Sequence, residues 1–154
     1  MPKVTIDIAG DSRLVNLLSS NRPVPKPVQR AVTAIGNDIA QEAKSLAPVD
    51  TGALRSSISS KFSTTPLARS IVVANVAYAQ FVHDGRRPGS PPPTAAVAGW
   101  ARRKGLNPYL VARAIGRRGI KGRPFFTDAV KKIVTQVSNH LRVAVSEIER
   151  DWKA

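Results

Sequence analysis

The clearest pattern in the chain begins near Pro27, where Val28, Val32, Ile35, Ile39, Ala43 and Leu46 recur at spacings of three and four. On a helix of 3.6 residues per turn these positions share one face, so the spacing predicts an amphipathic helix with Pro27 in its first turn. Pro48 ends it, because a residue before proline avoids the helical region. A second and longer helix is predicted after Thr127, with Val130, Ile133, Val134, Val137, Leu141, Val145, Ile148 and Trp152 on one face. Its near seven-residue repeat suits packing against another helix.

Between these helices the period changes to two. Leu54, Ser56, Ile58, Ser60 and Phe62 alternate, and Ile71, Val73 and Asn75 alternate with Val72, Ala74 and Val76. This predicts two antiparallel strands joined through Thr64, Thr65, Pro66 and Leu67. Tyr78 to Val82 fits a helical turn or a strand end, closed by a turn at Asp84-Gly85. Further on, Thr94 is placed to cap a helix to about Lys104, stopped by Gly105. Asn107-Pro108 is placed to cap another to about Arg118, stopped by Gly119. Near the start, Val4, Ile6 and Ile8 alternate like a short strand, whereas Leu14, Leu17 and Leu18 suggest a helical turn. Pro23, Pro25 and Pro27 would hold such an N-terminal arm semi-extended.

These elements add up to an α+β protein: two long helices packed on a small antiparallel sheet, with an inserted basic helical hairpin. The expected organisation is an arm or short strand/helix over 1–25 and a single domain over 26–154 with the insert at 86–123.

Charge sharpens this division. The 154 residues carry 24 Lys+Arg against 10 Asp+Glu, a net of +14. Ten of the cations, Arg86, Arg87, Arg102, Arg103, Lys104, Arg113, Arg117, Arg118, Lys121 and Arg123, fall in a stretch with no acidic residue, so the rest of the chain carries only +4. A solvated face usually mixes signs, and this one does not. Its counterpart is therefore expected to be DNA or an acidic protein surface. Trp100 and Tyr109 lie among these cations, but the spacing of Trp100 from Ala96 and Val97, and of Tyr109 from Ala112 and Ile115, assigns both to the hairpin's own core.

Composition removes several classes of function. The chain has no Cys, which excludes disulfide scaffolds, thiolate metal sites and cysteine nucleophiles. His83 and His140 lie in separate segments, so no metal site and no cofactor are expected. No apolar run approaches the roughly 18 residues that span a bilayer, and MPKVTIDIAG has no signal-peptide core. The expectation is a protein made in a reducing cytoplasm with no membrane partner.

One motif invites a catalytic reading. Val49-Asp50-Thr51-Gly52 resembles the tripeptide of aspartic proteases, in which two carboxylates share a proton. Here Pro48 occupies the place of the supporting strand and a helix precedes it. The turn reading is favoured, with Asp50 and Thr51 bonding nearby backbone N–H groups and Gly52 permitting the bend. No catalytic residue is assigned.

The same residues carry a family resemblance. Ala47-Pro48-Val49-Asp50-Thr51-Gly52-Ala53-Leu54-Arg55-Ser56-Ser57-Ile58 resembles the PVDTG-x-LR-x-SI signature of the gp-ten-like tail-component family of long-tailed bacteriophages. Ala77 to Gly85, with Tyr78 and Gly85, is similar to that family's YA-x-x-VE-x-G segment. Gly122 to Ala129, with Pro124 and Phe125, is similar to its PF-L-x-PA segment. His83-Asp84 and Thr127-Asp128 depart from the pattern, and the proline-led insert is not part of its minimal form. The resemblance spans about residues 26–150.

The resemblance implies a virion protein of the neck, a head-to-tail connector or tail-completion protein assembled in the host bacterial cytoplasm. It implies a homo-oligomeric ring, six-fold by expectation, around the DNA channel. The neighbours implied are head-closure or adaptor proteins on one side and tail-terminator or tail-tube proteins on the other. Six copies would carry roughly +84, a self-repulsion that acidic neighbours or DNA must offset. The basic insert then either lines the lumen in a sequence-independent contact with genomic double-stranded DNA or docks on an acidic rim. Docking is favoured, since an adhesive channel would slow DNA exit. A minor tail or tail-assembly factor and a nucleic-acid-binding protein that uses the insert are the alternatives. Asp50→Asn is expected to leave particle assembly unchanged, whereas a protease would lose its activity; plaque counts and a peptide-cleavage assay separate the two.

Overall fold

The structure is a computed structural model and describes residues 3–6, 24–64 and 68–153. The helical turn expected at Leu14 to Leu18, the connection through Thr65 to Leu67 and the side chain of Trp152 lie outside the described residues. Two compact units are present, one built from residues up to 79 and from 125 onward, the other from residues 80–124.

The first unit is organised around helix α1 (Lys26–Leu46). It starts with Pro27 in its first turn and ends at Ala47, held extended at φ −64° and ψ 131° ahead of Pro48. Strand β1 (Lys3–Ile6), helix α2 (Ala53–Ser57), strand β2 (Ile58–Ser63), strand β3 (Arg69–Ala74) and the long helix α6 (Phe125–Lys153) complete the unit. The sheet has the order β1-β3-β2 and is antiparallel throughout, with Ile58 opposite Ala74 and Lys3 opposite Val73. The alternation at Val4 and Ile6 is thus realised as a strand paired within the same chain.

Helix α1 has partners on two sides. One side meets β2 and β3, and another runs along α6. Val32, Ile35, Ile39, Ala40 and Ala43 are buried across this broad arc, together with Ala129, Ile133 and Ala144 of α6. Full burial of each Ile contributes about 1.5–3 kcal/mol. Among the described residues three polar pairs line the helix seam: the ion pairs of Arg30 with Glu147 at 2.6 Å and Glu42 with Lys132 at 2.7 Å, and Asp38 with His140 at 2.8 Å. The α1 number rises as the α6 number falls, so the pairs register an antiparallel packing. Exposed pairs of this kind contribute only about 0–1 kcal/mol each, and they select alignment more than they add stability.

Two sequence expectations change. The alternation at Leu54 and Ser56 is not a strand: residues 53–57 form α2 and the strand begins at Ile58. Leu54 and Ile58 are both buried, and a spacing of four fits one side of a helical turn as well as it fits a strand. Ser56 and Ser57 then turn their hydroxyls onto the helix carbonyls of Ala53 and Leu54. Helix α6 starts at Phe125, two residues before Thr127. Its buried stripe takes in Phe125, Phe126, Ala129 and Ala144, while Val134 and Val145 are exposed.

The closest approach of α1 to the sheet is at Gly36. A Cβ there would lie 1.8 Å from Ser70 Oγ and 2.7 Å from Ser70 Cβ. Ser70 is buried and its hydroxyl has no hydrogen-bond partner among the described residues. Gly36→Ala is expected to cost about 1–3 kcal/mol through overpacking. Ser70→Ala removes an unpaired buried hydroxyl and is expected to raise stability by about 1 kcal/mol. Urea unfolding of both variants checks the two signs.

Candidate interaction surface of the basic insert

The second unit holds helix α3 (Ala79–His83) from Gln80 onward, strand β4 (Gly85–Arg86), helix α4 (Thr94–Arg103), helix α5 (Pro108–Arg118) and strand β5 (Ile120–Lys121). The ambiguous segment after Tyr78 is therefore helical. Strands β4 and β5 pair antiparallel, Gly85 opposite Lys121 and Arg86 opposite Ile120, and close the base of the insert. Asn107 caps α5 as expected, its Oδ1 accepting from Tyr109 N–H at 2.9 Å. Thr94 does not cap α4; Pro93 occupies that place and makes no side-chain cap bond, so Thr94 is the first helical residue.

Helices α4 and α5 pack on one another through small side chains. Ala101, Ala112 and Gly116 are the buried positions of the pair. Gly116 O accepts from Gly89 N–H at 2.7 Å, which brings the end of α5 against the residues leading into α4 and makes the pair antiparallel. At Gly119 the backbone has φ +73°, and a Cβ would stand 2.2 Å from Arg86 O. This position needs glycine both for its conformation and for the approach of β4.

The close contact overturns the aromatic core expected for the hairpin. Trp100 is 42% exposed and Tyr109 62%. The buried positions are instead the small residues Ala101 and Ala112, with Gly116 set against Gly89 and Pro91. The signal available in the sequence was the small pair Ala112 and Gly116, one helical turn apart.

The ten cations are divided by the fold. Arg102, Arg103 and Lys104 lie at the turn between the helices, and Arg113 lies on α5. Arg86, Arg87, Arg117, Arg118, Lys121 and Arg123 belong to the closed base or the residues adjoining it. All except Arg86 are exposed; Arg86 is half-buried and donates to Ser90 O at 2.5 Å. The pairs Arg102/Arg103 and Arg117/Arg118 end α4 and α5, where cations complement the orphan carbonyls. The unit holds ten cations against the single carboxylate Asp84, a net of +9, and the rest of the chain carries +5. Asp84 Oδ1 is itself 2.6 Å from His83 Nδ1.

The motif residues separate into core and surface. Leu54, Ile58 and Phe125 are buried, while Val49, Asp50, Thr51, Arg55, Tyr78 and Pro124 are exposed. Pro48 is half-buried after α1. Gly52 has φ +81° and Thr51 Oγ1 accepts from Ala53 N–H at 3.4 Å, so the Asp-Thr-Gly run forms a turn into α2. Gly85, at φ +78°, opens β4. An open groove between α1 and α6 is lined by Arg30, His140 and Glu147, whose polar groups are engaged in the pairs of that seam. Among the described residues no group of three His, Asp or Glu side chains could hold a metal, and no helix is long and apolar enough to cross a membrane.

Residues 13–85 match the model of a family described as "Bacteriophage HK97-gp10, putative tail-component". This segment of the chain is similar to that family. The family is one of bacteriophage tail components, structural parts of a phage particle. The matched stretch takes in just under half of the chain and includes the motifs at Ala47 to Ile58 and Ala77 to Gly85; the third, at Gly122 to Ala129, lies beyond it. The tail-component segment thus supplies α1, α2, β2, β3 and α3, and nearly all of the basic insert follows it. No curated protein and no solved structure matches the chain.

Gly119→Ala is expected to cost about 1–3 kcal/mol locally. Hydrogen exchange is the measurement: amides at Gly85–Arg86 and Ile120–Lys121 should exchange faster than in the parent chain.

Proposed function

We propose that the chain is a structural, non-catalytic protein of the phage neck: a head-to-tail connector or tail-completion protein that forms a ring around the DNA channel. The family of residues 13–85 supports a tail-related structural role. The observation that carries the finer reading is the one-signed insert, a discrete folded unit of net +9. Repeated around a ring, it makes a continuous cationic band, which is stable only against an anionic neighbour. The neck supplies such neighbours in the DNA leaving the head and in the rims of adjacent rings. A heterologous contact between copies closes into a ring when the rotation per subunit fits, and six-fold closure is the symmetry we assign.

Of the two faces open to the insert, docking on an acidic rim is the role assigned. Electrostatic complementarity steers assembly without requiring permanent adhesion to moving DNA. A lumen-lining role, with phosphate contacts that weaken steeply in salt, is the competing assignment.

Removal of the chain from an infecting phage should give DNA-filled heads and separate tails in electron micrographs, and complete particles in normal yield would refute the connector role. Replacing Arg102, Arg103, Arg117 and Arg118 with Ser should reduce joining by at least about tenfold while leaving the helical circular-dichroism signal unchanged. Normal joining by this variant would remove the insert from the mechanism.

A further inference from the structure

Four large apolar side chains are exposed around the α4–α5 turn: Trp100 at 42%, Leu106 at 47%, Tyr109 at 62% and Leu110 at 58%. Leu106 follows the end of α4, its N–H bonded to Ala101 O at 2.8 Å, and Tyr109 and Leu110 open α5. Trp100 is in the last turn of α4, with Arg102, Arg103 and Lys104 after it. The apolar residues and three cations therefore share one end of the antiparallel pair. We infer that this end of the insert is a docking knob for a different protein, one presenting an apolar recess rimmed by carboxylates. The inference rests on the docking role proposed for the insert and is independent of ring formation.

The chemistry favours this occupant over three others. Duplex DNA is bound by cations and polar groups on its phosphates, and Leu106 and Leu110 contribute nothing to such contacts. An interfacial helix in a bilayer needs an apolar face along its length. Here the apolar residues gather at the turn, and α5 continues with Arg113, Arg117 and Arg118. A second copy of the chain is a poor electrostatic match, because both units are net positive. Aromatic and aliphatic side chains beside arginine are, in contrast, the composition of protein-binding hot spots. The apolar centre supplies binding energy and the charged rim supplies steering.

The test uses the full chain and four defined probes: a glutamate-rich helical peptide with leucines one turn apart, the same peptide with those leucines replaced by serine, duplex DNA, and phosphatidylglycerol vesicles. The leucine peptide should bind at least about tenfold more tightly than its serine counterpart. Leu106→Ser with Leu110→Ser should erase that preference and leave DNA binding unchanged. Arg102→Ser with Arg103→Ser should weaken binding of both peptides and flatten its salt dependence. Equal binding of the two peptides overturns the inference, as does an apolar variant that weakens DNA or vesicle binding as much as peptide binding. The probes need no phage particle, so detection of the chain in purified particles judges the neck assignment separately.

Discussion

Helix α1 has to satisfy two partners at once, and this constraint organises the first unit. Its arc toward the sheet is made of small residues, with Gly36, Ala40 and Ala43 buried, so β3 can approach until Ser70 stands where a Cβ would be. Its side toward α6 carries Arg30, Asp38 and Glu42, each paired with a residue of α6, and Ala31 and Ala34 line the groove between the two helices. Without α1 the antiparallel sheet and α6 would each lose their main packing partner. The Asp-Thr-Gly turn belongs to the same arrangement: it reverses the chain after α1 so that α2 can bury Leu54 and deliver Ile58 into β2.

The insert achieves closure by a different means. Its helix pair buries Ala101 and Ala112, Gly116 packs on Gly89 and Pro91, and its base is a two-residue ladder that admits Gly119 only in a left-handed conformation. Such a seam buries little apolar area, since the side chains at it are the smallest available. What it provides is a compact frame that holds large rings, leucines and nine of the ten cations outward. A unit built this way is better suited to presenting a surface than to enclosing a substrate, and the structural role of tail components agrees with that geometry.

The division between the matched segment and the insert also bears on function. The match covers residues 13–85, and most of the net positive charge lies after them. A scaffold joined to a separate cationic unit acquires a partner through steering and register, which are set by charge placement more than by buried area.

Much of this was legible in the residues. The apolar spacing of α1, the prolines that start and stop it, the strand β3, the Asn107 cap and the one-signed run of cations follow from local rules, because each depends on neighbours within a turn or two. Two things did not follow. Period two and period four coincide at Leu54 and Ile58, and only the folded chain decides that residues 53–57 coil into α2 before Ile58 enters β2. Trp100 and Tyr109 read as core because large rings at helical spacing usually are. Their exposure follows from which positions the α4–α5 unit buries, and those are the small residues Ala101, Ala112 and Gly116. The sequence by itself determined where the charge is and where the four longest helices run. The tertiary structure decided which apolar residues are left at the surface beside that charge, because burial belongs to contacts between elements and not to any single stretch of chain.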